Sequence, residues 1–432
     1  MRDILSATLS ESQAVNFVIS MNNPKPSQIS ETVETSAPEL LERLIHQAEQ
    51  AGASDVHLQM RGEIVEVAFR LDGVVSPVTS LPAGVAERVF GRIKFLARLK
   101  TYQDSLPQDG RIERSELNSQ NDIRVATYPT VTGEKVVLRL FNSAAVQSLH
   151  ELNLPPEASA ELQKFLRQTT GLLLLTGPAG SGKTTTIYAC LRQLVEAGGR
   201  HIISIEDPAE QIIPGVMQTE VNEAIGLDFA KAARHLLRQD PQVLVIGEIR
   251  DEATANLAVR AGLTGHLVIS TLHAGSCRGV FERLLTMCAD HSAVAGAVEL
   301  VLNQRLVRKV CSECGGVAAG ILPAVEGGIL PPGKTPENST ADRVSSDHPP
   351  GWKPGSTAGR MPAATCASCL GTGYRGRVPV LEWLRVTDEM RRGIAAKNLE
   401  NVNPHPTLAE SAQEIVKAGL TNQSELNRVL GF

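Results

Sequence analysis

The stretch Gly171-Leu-Leu-Leu-Leu-Thr-Gly-Pro-Ala-Gly-Ser-Gly-Lys-Thr184 carries the strongest structural signal in the chain. Its first six residues form a short apolar run, of the kind buried on both faces of a parallel sheet. The run enters a G-x-x-x-x-G-K-[ST] loop made of Gly177, Pro178, Ala179, Gly180, Ser181, Gly182, Lys183 and Thr184, with Thr185 following. A strand before the loop and a helix after it are the context in which this motif cradles phosphates. The glycines let backbone N–H groups turn inward, and the helix N-terminus adds a favourable partial charge. Lys183 can then reach the β- and γ-phosphates of a nucleotide, while the Thr184 hydroxyl can hold Mg2+. Runs at 201–205, 243–246 and 267–272 are also short and β-branched, and they alternate with longer amphipathic stretches. That alternation predicts an α/β fold with a mostly parallel sheet covered by helices.

A phosphate loop alone does not distinguish a kinase from a motor or a GTPase. The run Val243-Leu-Val-Ile-Gly-Glu248 adds an apolar strand that ends in a carboxylate. Strand ends of such sheets converge on the ligand, so Glu248 can orient an attacking water or accept its proton. A second acidic group, Glu206-Asp-Pro-Ala-Glu210, follows the strand at 201–205 and can join the Mg2+–water network.

Upstream, residues 1–36 are polar and read as a flexible arm. Leu40, Leu41, Leu44, Ile45 and Ala48 recur at helical spacing before Gly52. Alternating runs with turn signals at Arg61-Gly62, Asp72-Gly73 and Thr132-Gly133 predict hairpin strands, and 83–99 predicts a second helix. Residues 37–141 therefore form a small α+β domain, followed by a linker at 142–158 that contains Pro155-Pro156. The core is expected over 159–310, a cysteine-bearing element over 311–377, and a helical region over 378–432.

Composition excludes several classes. Forty-two basic against 47 acidic residues leave −5, and aromatics make up 3%, so neither a basic field nor a stacking surface points to nucleic acid. No apolar run approaches the ~18–20 residues of a membrane span. The start MRDILSATLSESQ lacks the basic and apolar segments of a signal peptide, and seven cysteines is an odd count. A cytoplasmic protein is expected.

Four motifs in order resemble the secretion ATPases of the GspE/PilB group, which drive type II secretion and type IV pilus assembly. They are the Walker A loop at 177–184, the Asp box at 205–210, the atypical Walker B region at 237–251, and the His box at 263–273. Upstream, Ala53-Ser-Asp-Val-His57, Phe69-Arg-Leu-Asp-Gly73, Gln108-Asp-Gly-Arg111 and 133–139 resemble that group's N-terminal domain. The resemblance implies a RecA-like P-loop ATPase core, a PAS-like N-terminal α+β domain and a homo-hexamer. It implies a motor whose domains close and open on ATP hydrolysis, peripherally associated with the inner membrane. The motor would push on a platform protein there and act indirectly on pilin or pseudopilin.

The same resemblance makes Glu248 the catalytic carboxylate, puts Glu206 in the Asp box, and has His266 and His273 sense the nucleotide. Arg111, Arg124 and Arg139 become candidates to reach the γ-phosphate on domain closure. One departure is Gln242, where the group has Asp. Two other readings stay open: a motor for conjugation or DNA uptake, and a nucleotide-binding zinc scaffold without turnover.

Cys311-x-x-Cys314 and Cys366-x-x-Cys369 are paired thiolate claws able to supply the four ligands of a tetrahedral Zn2+. Fifty-one residues separate them, more than the usual ~15–20, and a redox pair or free thiols would also fit. Nine Gly and eight Pro within residues 315–365 predict an irregular insertion. Assembly-type members of the group carry a tetracysteine element followed by a run like 371–377, so the resemblance favours a zinc-binding C-terminal arm. Cys190, Cys277 and Cys288 stand apart and read as small core hydrophobes.

Overall fold

The computed structural model describes residues 36–120, 122–140, 148–315, 366 and 368–431. The arm at 1–35, most of the insertion at 315–365 and the linker segment 141–147 lie outside the described residues. The chain divides into two compact units. The smaller one holds the four claw cysteines, and the larger one holds everything discussed in the rest of this section.

In the larger unit, helix α1 (Ala37–Gln50) starts at Ser36, whose hydroxyl accepts from Glu39 N while Glu39 reaches back to the Ser36 amide. This reciprocal cap satisfies two donors that the helix cannot pair by itself. Strands β1 (Asp55–Arg61), β2 (Ile64–Leu71) and β3 (Val74–Pro82) follow, then α2 (Ala83–Leu96), β4 (Gln108–Ile112), β5 (Ile123–Thr130) and β6 (Gly133–Leu140). They form an antiparallel sheet in the order β3-β2-β1-β6-β5-β4. Leu41, Ile45, Val56, Leu58, Val67, Val89, Ile93 and Leu138 share one core, so α1 and α2 cover a single face.

Period-2 alternation sends the intervening residues to the other face. There Asp55 pairs in register with Arg70 on one side and Arg139 on the other. Arg139 in turn pairs with Arg124, and Arg124 with Arg111. One charged row therefore crosses five strands, with four arginines on it.

Helix α3 (Pro156–Leu166) opens with proline at its first position, where no N–H is needed. Leu149 and Leu152, expected in the linker, are buried in the same core as Leu162 and Phe165. Next come β7 (Gly171–Thr176), α4 (Lys183–Ala197), β8 (Ile202–Glu206), β9 (Val216–Glu220) and α5 (Phe229–Leu236). They are followed by β10 (Val243–Ile246), α6 (Glu252–Leu263), β11 (Leu267–Thr271), α7 (Cys277–Met287), α8 (His291–Ala297) and β12 (Val298–Val310). After the cysteine element, β13 (Tyr374–Arg385) leads to α9 (Asp388–Ala395), α10 (Leu408–Lys417) and α11 (Gln423–Leu430).

The second sheet runs β13-β12-β7-β11-β10-β8-β9, and only the β12–β13 pair is antiparallel. Leu172, Leu174, Ile203, Leu244 and Val268 face one core, and Leu173, Leu175, Ile202, Val245 and Ile269 face the other. Both faces are covered, which is why these strands read as unbroken apolar runs.

The tail was expected to be helical from Val378, yet it begins inside a strand. Val378, Val380 and Leu381 are buried, and Leu300–Arg308 of β12 pair with Arg385–Arg377 of β13. A twelve-residue strand buried along most of its length has no polar face, so its periodicity alone could not separate it from a helix. Strand β12 was not anticipated either. Cys190, Cys277 and Cys288 are buried as expected, and burial pushes the Cys190 thiol up to about 12.

Candidate functional site: a cleft at the strand ends

The loop after β7 is shaped by glycine. Gly177, Gly180 and Gly182 all have positive φ, and a Cβ on Gly177 would stand 2.3 Å from the Gln304 carbonyl oxygen. Only glycine fits so close a backbone approach. Helix α4 then begins at Lys183 behind a left-handed Gly182, with no side-chain cap. Its first-turn N–H groups stay available to an anion, as phosphate binding requires. The Lys183 Nζ donates to the carbonyls of Gly177 and Pro178, each at 2.9 Å. Burial lowers the Lys183 pKa, with neighbouring Glu248 opposing that shift and Arg305 adding to it.

Lys183, Thr184, Glu206, Asp207, Glu210, Glu248, Arg250, Thr271 and His273 line one cleft. The turn that presents Glu248 is fixed by Gly247: its carbonyl accepts from Thr271 Oγ1 at 2.7 Å, and its amide donates to Ile205 O at 2.8 Å. Glu248 sits between His273, 3.0 Å from its Oε1, and Arg250, 2.8 Å from its Oε2. Arg250 also reaches Asp207 at 3.1 Å and stacks over the Phe229 ring. Pairing with Glu248, then with Asp207, raises the Arg250 pKa further. The geometry can therefore hold a triphosphate at the helix N-terminus, with a carboxylate beside it to orient water.

Glu206 plays a different part from its neighbours. It is buried, and it accepts from Tyr188 Oη, Ser204 Oγ and Gln218 Nε2 at 2.5, 2.7 and 2.9 Å. With three donors on two oxygens, it shapes the loop. Asp207 and Glu210 are the carboxylates exposed to the cleft.

His266 is not brought to this cleft. It precedes β11, and its carbonyl accepts from Gly171 N at the start of β7. The cleft lies at the other end of these strands, about 16 Å away along five residues. Gln242 lies at the same far edge, with its side chain accepting from the His201 amide at 2.6 Å. The departure from the expected Asp therefore falls outside the cleft.

Of the three arginines, Arg111 is engaged with Asp122. Arg139 holds Asp55 at 3.0 Å. Burial, then the Glu206 charge, raise the Glu210 pKa, while Arg139 and Arg124 pull it down. The charged row of the small sheet and the Asp box are thus electrostatic neighbours.

Residue patterning missed four contributors, three on β12 and one on α4. Asn303, Gln304 and Arg305 reach the loop only because β12 lies parallel to β7, pairing Asn303 with Thr176. Gln304 accepts from Thr186 Oγ1 at 3.0 Å, and Arg305 lies against Gly177. Tyr188 was missed too, since nothing in a helical sequence marks one buried tyrosine as a polar hub.

Comparison with known proteins identifies the family. A family model described as "Type II/IV secretion system protein" matches residues 31–428. The chain belongs to that family. It is 36% identical over 405 residues to the type II secretion system protein E of Klebsiella pneumoniae, covering 92% of this chain and 76% of that protein. It is also 36% identical over 374 residues to the type IV pilus assembly ATPase PilB of Thermus thermophilus. That match covers 86% of this chain but only 39% of the Thermus protein. Among solved structures, the pilus retraction motor PilT superposes with TM-score 0.57 at 22% identity, covering 89% of this chain and 95% of PilT. The Legionella pneumophila ATPase DotB gives 0.63 at 18%, covering 91% and 96%, and these likenesses speak to fold alone. Among the described residues, no helix is long and apolar enough to cross a membrane.

In the smaller unit, Cys311, Cys314, Cys366 and Cys369 are buried, with sulfurs all within 4.8 Å of one another. Cys311 Sγ lies 3.9 Å from Cys366 Sγ, and Cys314 Sγ lies 3.7 Å from Cys369 Sγ. Four thiolates at ~2.3 Å from a tetrahedral Zn2+ would stand about 3.8 Å apart, so the set fits that ion.

Proposed function

We propose that this secretion-family chain hydrolyses ATP to ADP and phosphate as a subunit of a homo-hexameric motor. The motor would power assembly of a type IV pilus or a type II secretion pseudopilus. The observation that carries this reading is the single cleft lined by Lys183, Thr184, Glu248 and the Asp-box residues Glu206, Asp207 and Glu210. Bound Mg2+ would neutralise phosphate charge, and the Thr184 hydroxyl would hold it. Lys183 binds phosphate, Glu248 orients the water, and His273 and Arg250 hold the Glu248 carboxylate. Arg124 and Arg139, on a sheet separate from the loop, meet the charge that develops when the small domain closes.

In this reading residues 37–141 are a PAS-like domain, 159–310 with β13 a RecA-like core, and 311–377 a zinc element that organises structure without chemistry. The partner is a platform protein at the inner membrane, approached from the cytoplasm. The test is turnover by purified protein and two variants. Lys183→Ala should lose nucleotide binding. Glu248→Gln should keep binding and lose turnover, by about a hundredfold or more for a positioned catalytic group. A Glu248→Gln protein as fast as wild type would refute the assignment.

A further inference from the structure

Tyr188 lies on α4, five residues after Lys183, and its hydroxyl is a junction. It donates to Glu206 Oε2 at 2.5 Å and accepts from the backbone amides of Glu210 at 2.8 Å and Gln211 at 3.3 Å. A phenol offers one donor and two acceptor sites, so this one is fully used. Burial, and then the adjacent Glu206 carboxylate, push its pKa far above the ordinary range, so the proton stays on Tyr188. One turn later on the same helix face, Arg192 Nη2 reaches Gln211 Oε1 at 2.5 Å. Glu206, locked by Tyr188, Ser204 and Gln218, begins the loop that carries Asp207 and Glu210. Asp207 continues the chain of contacts through Arg250 to Glu248.

We propose that Tyr188 is a positioning residue that ties the helix whose N-terminus receives the phosphates to the loop at 207–211. Movement or stiffening of α4 on nucleotide binding passes through one hydroxyl to two loop amides and a buried carboxylate. From there it reaches Asp207, Arg250 and the water-orienting Glu248. A tyrosine that merely filled space would use its ring and leave its oxygen to chance. Here the ring is buried and the oxygen carries three hydrogen bonds, two of them from the backbone of the loop. The inference rests on the reading of the cleft as an ATP site.

The experiment uses the whole chain and Tyr188→Phe, which keeps the ring and removes only the oxygen. Glu206→Gln is the second variant, removing the charge at the other end of the same bond. Turnover of MgATP and amide hydrogen exchange over 207–213 are measured, the latter with and without a non-hydrolysable ATP analogue. For Tyr188→Phe, kcat should fall about tenfold or more with KM changed less than about twofold, because ground-state binding does not use the hydroxyl. The Glu210 and Gln211 amides should exchange faster, and their protection by the analogue should shrink, while amides of β7 stay unchanged. In the double variant the two losses should be less than additive, since both remove one interaction.

Unchanged kcat, a rise in KM with kcat intact, or wild-type exchange at Glu210 and Gln211 would each overturn the proposal. If the wild-type protein bound the analogue but showed no turnover, the hydrolytic reading would fall and the exchange arm would still decide. Analogue-dependent protection lost in Tyr188→Phe would support the coupling, and protection kept in both proteins would remove it.

Discussion

At the scale of single residues, the loop at 177–182 contrasts two glycines that the sequence motif treats alike. Gly177 has φ +137°, and its missing Cβ would meet the Gln304 carbonyl oxygen at 2.3 Å. Gly180 has φ +73° with nothing within 4 Å of a Cβ position. Gly180→Ala therefore pays only the left-handed backbone cost, about 1–2 kcal/mol. Gly177→Ala pays backbone strain plus a clash with main chain from β12, which cannot swing aside like a side chain. The expected outcome in a nucleotide titration is a large loss of affinity for Gly177→Ala and a modest one for Gly180→Ala. Equal affinities would mean that β12 yields to the loop. Lys183, Thr184 and Glu248 were legible in the sequence because local order alone sets them: loop after strand, carboxylate at strand end. Arg305 and Tyr188 were not legible. Their roles depend on parallel pairing of Thr176 with Asn303, 127 residues apart in the chain, and on which way one helix face turns.

At the scale of elements, the small domain is held by a buried ion pair. Lys94 of α2 is 3% exposed and Glu134 of β6 is 7% exposed, and Lys94 Nζ lies 2.8 Å from Glu134 Oε1. Lys94 also donates to Gln103 O at 3.0 Å, tying in the segment before β4. Removing one partner strands the other charge in the core, so Lys94→Met should destabilise this domain by about 3–5 kcal/mol. Replacing both by apolar residues should recover much of that loss. A denaturant melt followed on the small domain reads the difference, and a Lys94→Met protein of wild-type stability would show that Glu134 reaches water.

Helix α11 is pinned in a comparable way, through Glu425 to Arg308 of β12 and to Arg428. Burial pushes the Glu425 pKa up, but hydrogen bonds from Arg428 and Arg308 outweigh it and hold the carboxyl below its usual range. A depressed folded-state pKa gives stability that is present above the unfolded value, about 4.3, and lost as pH falls through the folded value. Stability of the C-terminal helices should drop on acidification below about pH 4.3. That slope should flatten in Glu425→Gln, and an identical slope in both proteins would assign the acid sensitivity elsewhere.

At the scale of the whole molecule, the cysteine cluster shares no buried residue with the cores around the cleft, and this separates the effects of two perturbations. The claw cysteines form their own buried cluster, and the cleft is supported by the two cores on either side of β7, β10 and β11. A structural zinc site folds with its metal, so a strong chelator should release one Zn2+ per chain and expose four thiols. Nucleotide affinity should survive that treatment. Preparations without zinc and with freely reactive thiols from the outset would remove the metal.

The arginine row makes the opposite demand, because it lies on one sheet and the phosphate loop on another. The row was only partly legible. Arg111, Arg124 and Arg139 could be picked out singly, but their alignment across β4, β5 and β6 follows from strand register, which no local pattern fixes over such separations. Register also divides them: Arg139 and Arg124 act on Glu210, whereas Arg111 is tied to Asp122. Groups that complete a site on closure stabilise the transition state more than the bound substrate. Arg124→Ala and Arg139→Ala should therefore cut kcat by about tenfold to a hundredfold with little change in nucleotide affinity, and Arg111→Ala should do less. If neighbouring subunits fix the closed geometry, turnover per chain should also rise with protein concentration. A monomer, verified by light scattering with ATP present, that turned over as fast as the assembled form would show that closure needs no neighbour.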